Sequence, residues 1–191
     1  MNIVHLCWGC KMDLYNLILK ESKDIVINNG IGCLNIRDLA NKCGISVGSI
    51  YNYFPSKSDL MVAVIQSIWQ DIFKIENMSY NESFAGIINY IFETVSENLK
   101  KYPNFFKLHS LMLDNDEKNK GKQYMDNFIK NVEGILLKSI KRDENIRKNC
   151  FNEIFTEDIF VHYVFNLLLN LIFEKNSNCE PLLQLIKNCI Y

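Results

Sequence analysis

Three short patterns in this 191-residue chain use residue types that could do chemistry. Gly44-Ile45-Ser46-Val47-Gly48 has the G-x-S-x-G spacing of a hydrolase nucleophile elbow. That device needs a strand before the serine and a helix after it, so that the hydroxyl is thrust out at a strained turn. A helical pattern precedes the serine instead, and no parallel-sheet pattern exists to gather His5, His109 or His162 into a triad. Cys7 and Cys10 form a C-x-x-C pair, the spacing of a redox motif or half a zinc site. No βαβ pattern surrounds the pair, and no second C-x-x-C or H-x-x-x-H completes a tetrahedral set. The chain also has no G-x-x-x-x-G-K-[ST] phosphate loop and no helical H-E-x-x-H. No catalytic residue, metal or cofactor is expected. The third pattern, Asn35 to Phe54, carries amides, hydroxyls and cations of the kind that pair with phosphates and base edges.

The elements that must hold these residues are helices. From Asp13 to Asn29 the apolar residues Leu14, Leu17, Ile18, Ile25 and Val26 recur at helical spacing, and Gly30 stands where a glycine would stop the helix. Ile36 to Cys43 follows Asn35, a good N-cap, and ends at Gly44. A short third helix opens after Ser46 and runs to about Tyr53. Pro55 breaks the chain, and Ser56-x-x-Asp59 is a capping box for a fourth helix into Ile75. A second such box, Ser79-x-x-Glu82, predicts a fifth helix to about Lys100. Further helices are expected after Pro103, near 122–143, near 152–174 and at 181–190, about nine in all. Eight Gly and three Pro are too few for a turn-rich β-sandwich, and no period-two alternation or long repeat exists. The expected class is all-α.

Composition bounds the rest. With 21 basic and 22 acidic residues the net charge is −1, so bulk charge cannot hold nucleic acid or an anionic membrane. DNA binding would need a local surface. Seven scattered cysteines and a first segment without a signal-peptide pattern are expected of a reduced, cytoplasmic protein. The most apolar run, residues 159–173, is shorter than the roughly 20 residues of a spanning helix and is interrupted by His162, Asn166 and Asn170. It is expected to be a buried helix, with no membrane role.

Residues 35–54, NIRDLANKCGISVGSIYNYF, have the spacing of a helix-turn-helix. Ala40 lies where two helices cross closely, and Gly44 can take the positive φ that the tight turn requires. Leu39, Cys43, Ile45, Ile50 and Tyr53 stand at the offsets that seal the core between the helices. Over Ile18 to about Val64 the chain resembles the DNA-binding domain of the TetR/AcrR family of bacterial transcriptional regulators. The first helix ending at Gly30, then IRDLANKCGIS, VGSIYNYF and PSKSDL, carry the likeness in order. The resemblance implies a homodimeric repressor of double-stranded operator DNA whose C-terminal domain binds a small effector.

Carried over residue by residue, it gives these expectations. Ser46 caps the recognition helix, whose first turn enters the major groove, and Gly48 and Ser49 keep that turn slim. Tyr51 and Tyr53 match positions that contact phosphate and base, and Asn52 between them could pair bidentately with adenine. Lys57 matches the family's phosphate-gripping lysine. Asn35 and Arg37 are expected at backbone and base respectively. Val47 and Pro55 depart from the family pattern, where polar or basic residues are common.

The expected organisation is an extension at 1–11, the DNA-binding domain at 12–70, and an effector-binding and dimerisation domain at 71–191. Aromatics number five in the first 60 residues and 18 in the rest. From that supply a pocket for a small hydrophobic or aromatic effector is expected at Phe84, Phe92, Phe105, Phe106, His109, Met112, Tyr124 and Phe128, although helically spaced aromatics also build cores. The helix at 152–174 is apolar around most of its circumference, which predicts cover on more than one side. Phe160, Val164, Leu168 and Leu171, with Leu182, Leu185 and Ile186 of the last helix, are the expected dimer interface. The alternative is a ligand-independent architectural or cell-cycle DNA binder that uses its C-terminal part only for dimerisation or a protein partner.

Overall fold

Asn35 shows how closely the local chemistry sets the elements. Its side-chain oxygen accepts the N–H groups of Arg37 (2.8 Å) and Asp38 (3.5 Å), two of the donors that a helix start leaves unpaired. The computed structural model describes residues 8–74, 82–102, 115–174 and 178–191. These hold eight α-helices and no strand: α1 (Trp8–Asn29), α2 (Ile36–Cys43), α3 (Val47–Tyr51), α4 (Lys57–Phe73), α5 (Phe84–Leu99), α6 (Asn115–Arg142), α7 (Glu157–Phe173) and α8 (Glu180–Ile190). A 3-10 turn, Ile31–Cys33, follows α1. The helix expected after Pro103 lies outside the described residues.

Two compact units form, Met1–Trp69 with Lys101–Lys122, and Gln70–Lys100 with Gln123–Tyr191. In the first, α1 ends at Gly30, whose φ of +91° is the left-handed stop that glycine accommodates. Ile18, Leu39, Ile50, Leu60 and Val64 have no exposed surface and form its centre. Ala40, also buried, leaves room for the close approach of neighbouring helices. Cys43, Ile45 and Tyr53 are half-buried and close its margin rather than its middle. A Lys42–Glu21 ion pair at 2.9 Å ties α2 to α1.

In the second unit α5 packs against both α7 and α8, which also pack on each other. Phe84, Ile88, Phe165, Leu168, Ile186 and Ile190 lie at its core. Two helix starts differ from expectation. α5 begins at Phe84 with Ser83 as its cap, accepting the Gly86 N–H at 3.1 Å, rather than at Ser79, which lies outside the described residues. α7 begins at Glu157 under Thr156, not at Asn152. The Asn152 carboxamide instead accepts the N–H groups of Ile154 and Phe155, both at 2.9 Å, and folds that stretch into a turn.

The segment between α6 and α7 is tied down by polar contacts. Asp143 accepts the Phe84 N–H at 2.9 Å, the Tyr191 hydroxyl, and both the backbone and side-chain N–H of Asn145. Arg147 donates to the carbonyls of Asn188 and Cys189 at 2.8 Å each, satisfying the end of α8. Burial pushes the Asp143 carboxyl up, but the hydrogen bonds from Tyr191, Phe84 and Asn145 outweigh it and leave the group below its ordinary value. Burial, then the Asp143 partner, pushes Tyr191 up to about 12.

Candidate nucleic-acid interface

The turn between α2 and α3 is built by Gly44, at φ +67°, whose N–H bonds to Asn41 O at 3.1 Å while Ile45 N–H bonds to Ala40 O at 3.0 Å. An L side chain at that φ would be strained, so glycine is required there by the backbone. Ser46 follows in extended conformation and caps α3. Its hydroxyl accepts the Ser49 N–H at 3.1 Å and lies 2.9 Å from the Ser49 hydroxyl. α2 precedes this serine, so it is a cap at a helix–helix turn and not a nucleophile elbow.

Gly48 differs from Gly44. A Cβ added there would meet only the Ser46 hydroxyl, at 3.8 Å, an ordinary contact. Among the described residues nothing requires glycine at this exposed position. Tyr51 is 43% exposed. Asn52 is exposed at the C-cap of α3, its backbone N–H bonded to Gly48 O at 3.2 Å. Arg37 and Lys57 are exposed at the starts of α2 and α4. Ser56 caps α4, accepting the Asp59 N–H at 3.0 Å and donating to the Asp59 carboxylate at 2.7 Å. All nine residues expected at DNA lie in one compact unit. Asn35 is committed through its oxygen to capping α2, which leaves only its amide hydrogens for a phosphate.

Lys42 is not a free cation. The hydrogen bond it donates to the Glu21 carboxylate holds its ammonium above the usual value, so much of its charge is met within the domain. Sequence reasoning missed Tyr15. Its ring stacks on Phe54 at 5.1 Å between centroids and lies tilted against Tyr53 at 6.5 Å. The available signal was its place three residues before Ile18, on the same face of α1.

In the second unit the expected pocket residues separate. Phe84 has no exposed surface and packs against Phe160 at 5.8 Å, so it is core and not lining. Phe92 and Phe128 are buried, and Phe128 meets Phe73 edge-on at 5.0 Å and stacks with Tyr124 at 6.3 Å. Burial pushes the half-buried Tyr124 hydroxyl above its ordinary value, while a hydrogen bond with Gln70 pulls it down. Phe105, Phe106, His109 and Met112 lie outside the described residues, as does Cys7 of the C-x-x-C pair. Among the described residues no His, Cys, Asp or Glu group could hold a metal ion, and no helix is long and apolar enough to cross a membrane.

The expected dimer residues divide: five are buried, Leu171 is half-buried and Leu185 is exposed. Phe160, Val164, Leu168, Leu182 and Ile186 are buried within the single chain, because α5, α7 and α8 cover one another. Leu171 is half-buried. The apolar surface actually left open on α7 is Ile159, Tyr163 and Leu167, four residues apart, with Phe173 near its end and Leu185 on α8. Beside them His162 contacts Glu133 at 2.8 Å and Asn166 at 3.2 Å.

A family model for bacterial regulatory proteins of the tetR family matches residues 18–64, the span from α1 through the first half of α4. Over those residues the chain is similar to that family, and the helix-turn-helix formed by α2 and α3 lies within the matched span. Among curated relatives, the nucleoid occlusion factor SlmA of Actinobacillus pleuropneumoniae serotype 5b is 32% identical over 113 residues. That match covers 52% of this chain and 56% of SlmA, so the chain spans about half the length of the curated relatives it matches. Among solved structures, BioQ bound to its double-stranded DNA operator aligns with a TM-score of 0.59 and 15% identity, covering 91% of this chain and 95% of BioQ. FadR of Bacillus subtilis, in complex with stearoyl-CoA, aligns at 0.58 and 14% identity over 93% and 100%. These likenesses establish the fold.

Proposed function

We propose that this chain is a cytoplasmic, homodimeric, sequence-specific DNA-binding regulator that represses transcription and leaves its operator when a small hydrophobic effector binds. The observation that carries the reading is the sorting of residues in the helix-turn-helix. Leu39, Ala40 and Ile50 are buried, while Arg37, Gly48, Tyr51, Asn52 and Lys57 face solvent without a structural reason for their identity. Phosphate contacts from Lys57, Tyr53 and Asn35 would fix the register, and base contacts from Asn52 and Arg37 would read the sequence.

One such module makes too few contacts for a specific site, so a second copy is required. It would seat on Ile159, Tyr163 and Leu167 of α7 and Leu185 of α8. The two recognition helices would then reach successive major grooves, roughly 34–36 Å apart or somewhat more. Half-buried Tyr124, together with Phe105, Phe106, His109 and Met112 named from the sequence, are the proposed effector contacts. The acyl-CoA in the FadR neighbour supports a long apolar ligand class.

A second reading is favoured by the SlmA match: a DNA binder that acts through a protein partner and needs no effector. Gel-shift titration of the gene's own upstream DNA, with and without acyl-CoA and aromatic ligands, separates the two. Release of the DNA by a ligand supports the first reading. Ligand-indifferent binding supports the second, and failure to bind any DNA contradicts both.

A further inference from the structure

Tyr53 and Phe54 stand where the chain leaves α3. Both N–H groups bond to Ile50 O at 3.0 Å, and the next residue, Pro55, has no N–H to continue the pattern. These bonds fix the Tyr53 backbone, and the direction of its ring is left to the side chains around it. Tyr15 of α1 meets both aromatic residues. Its ring stacks on that of Phe54, centroids 5.1 Å apart and planes at 25°, and lies tilted at 54° against Tyr53 at 6.5 Å. Phe54 is buried, so it anchors the Tyr15 ring, and Tyr15 in turn walls one side of the half-buried Tyr53.

We infer that Tyr15 is a positioning residue for DNA recognition that acts through Tyr53. By confining the ring, it limits the directions in which the Tyr53 hydroxyl can point before a phosphate oxygen arrives. A ring left free must be ordered during binding, and that ordering cost appears as lost affinity. The inference rests on the DNA-binding reading above and extends it to a residue of α1, outside the helix-turn-helix, that contributes without touching DNA.

The test is a double-mutant cycle in the full chain, read by fluorescence anisotropy on DNA that the unaltered protein enriches from a random pool. Tyr53→Phe should weaken binding about tenfold, the loss of a hydrogen bond to a charged group. Tyr15→Ala should weaken it about two- to tenfold. Tyr15→Phe, which keeps the ring, should bind like the unaltered protein. Adding Tyr15→Ala to Tyr53→Phe should cost nothing further, because the hydroxyl to be aimed is gone. Additive losses overturn the inference, as does a Tyr15→Phe protein as weak as Tyr15→Ala, which would mean the Tyr15 hydroxyl itself contacts DNA. Thermal unfolding checks that each variant is folded, with Tyr15→Leu replacing Tyr15→Ala if the latter is not. Binding of no DNA by the unaltered chain overturns the DNA-binding reading and this role together, whereas additive losses in a protein that binds overturn the role alone.

Discussion

Lys57 and Asn52 are both exposed within a few residues of each other, and the proposed DNA binding gives them different work. An ammonium at the start of α4 attracts any phosphate, whereas a carboxamide can donate to and accept from one base edge. Lys57→Ala should weaken binding to all sequences alike and reduce the salt slope by about one unit. Asn52→Ala should cost about 1–3 kcal/mol on the preferred site and relax specificity at one position. Titrations at several salt concentrations on matched and mismatched duplexes check both. Gly48→Ala gives a sharper separation. The added methyl meets only Ser46 Oγ at 3.8 Å, so folding stability should rise by about 0.5–1 kcal/mol, as for Ala over Gly within a helix. DNA affinity should fall, because the surface approaching the groove thickens; urea unfolding and anisotropy read the two effects. At this scale much was legible in the sequence. Gly44 and Ser46 are fixed by backbone geometry that a turn and a cap impose locally. Tyr15 was not legible, because the role proposed for it comes from rings 38 and 39 positions further along.

Helix boundaries depend on which oxygen reaches the first free N–H groups. Asn35, Ser46 and Ser56 are followed at once by apolar helical spacing, and all three cap as expected. The start of α7 escaped the pattern because Asn152 folds its own turn, while Thr156 caps four residues later. The start of α5 is held in part by Asp143, 59 residues away, which no local reading could supply. That contact yields a pH-dependent expectation. With its folded value below the ordinary 3.8, Asp143 contributes stability that is present above that value and is lost as pH falls through the folded one. Asp143→Asn should lower stability at neutral pH by about 1–3 kcal/mol, and the deficit should shrink below about pH 4. Urea unfolding at pH 7 and pH 3 measures it; an equal deficit at both would mean that the charge is irrelevant.

The whole molecule adds what neither residue types nor helical spacing contain, namely which apolar face is already covered. The 159–173 run is apolar enough to signal two-sided burial, yet its spacing alone did not say which side belongs to the chain. α5 and α8 take Phe160, Val164 and Leu168, leaving Ile159, Tyr163 and Leu167 open. Adjacent leucines therefore make a controlled pair. Leu168→Glu buries an unpaired charge and should unfold the chain. Leu167→Glu, at a position 45% exposed, should leave a folded monomer with much weaker DNA binding. Analytical ultracentrifugation with circular dichroism distinguishes these outcomes. A Leu167→Glu protein that stayed dimeric would move the interface elsewhere.

The central claim is that two copies of this helix-turn-helix read one DNA site. Selection of bound duplexes from a random pool by the full chain tests it most directly. The account predicts enrichment of an inverted repeat whose half-sites lie about one helical turn or somewhat more apart. Enrichment of no sequence, or of a single half-site without its mirror image, would contradict it.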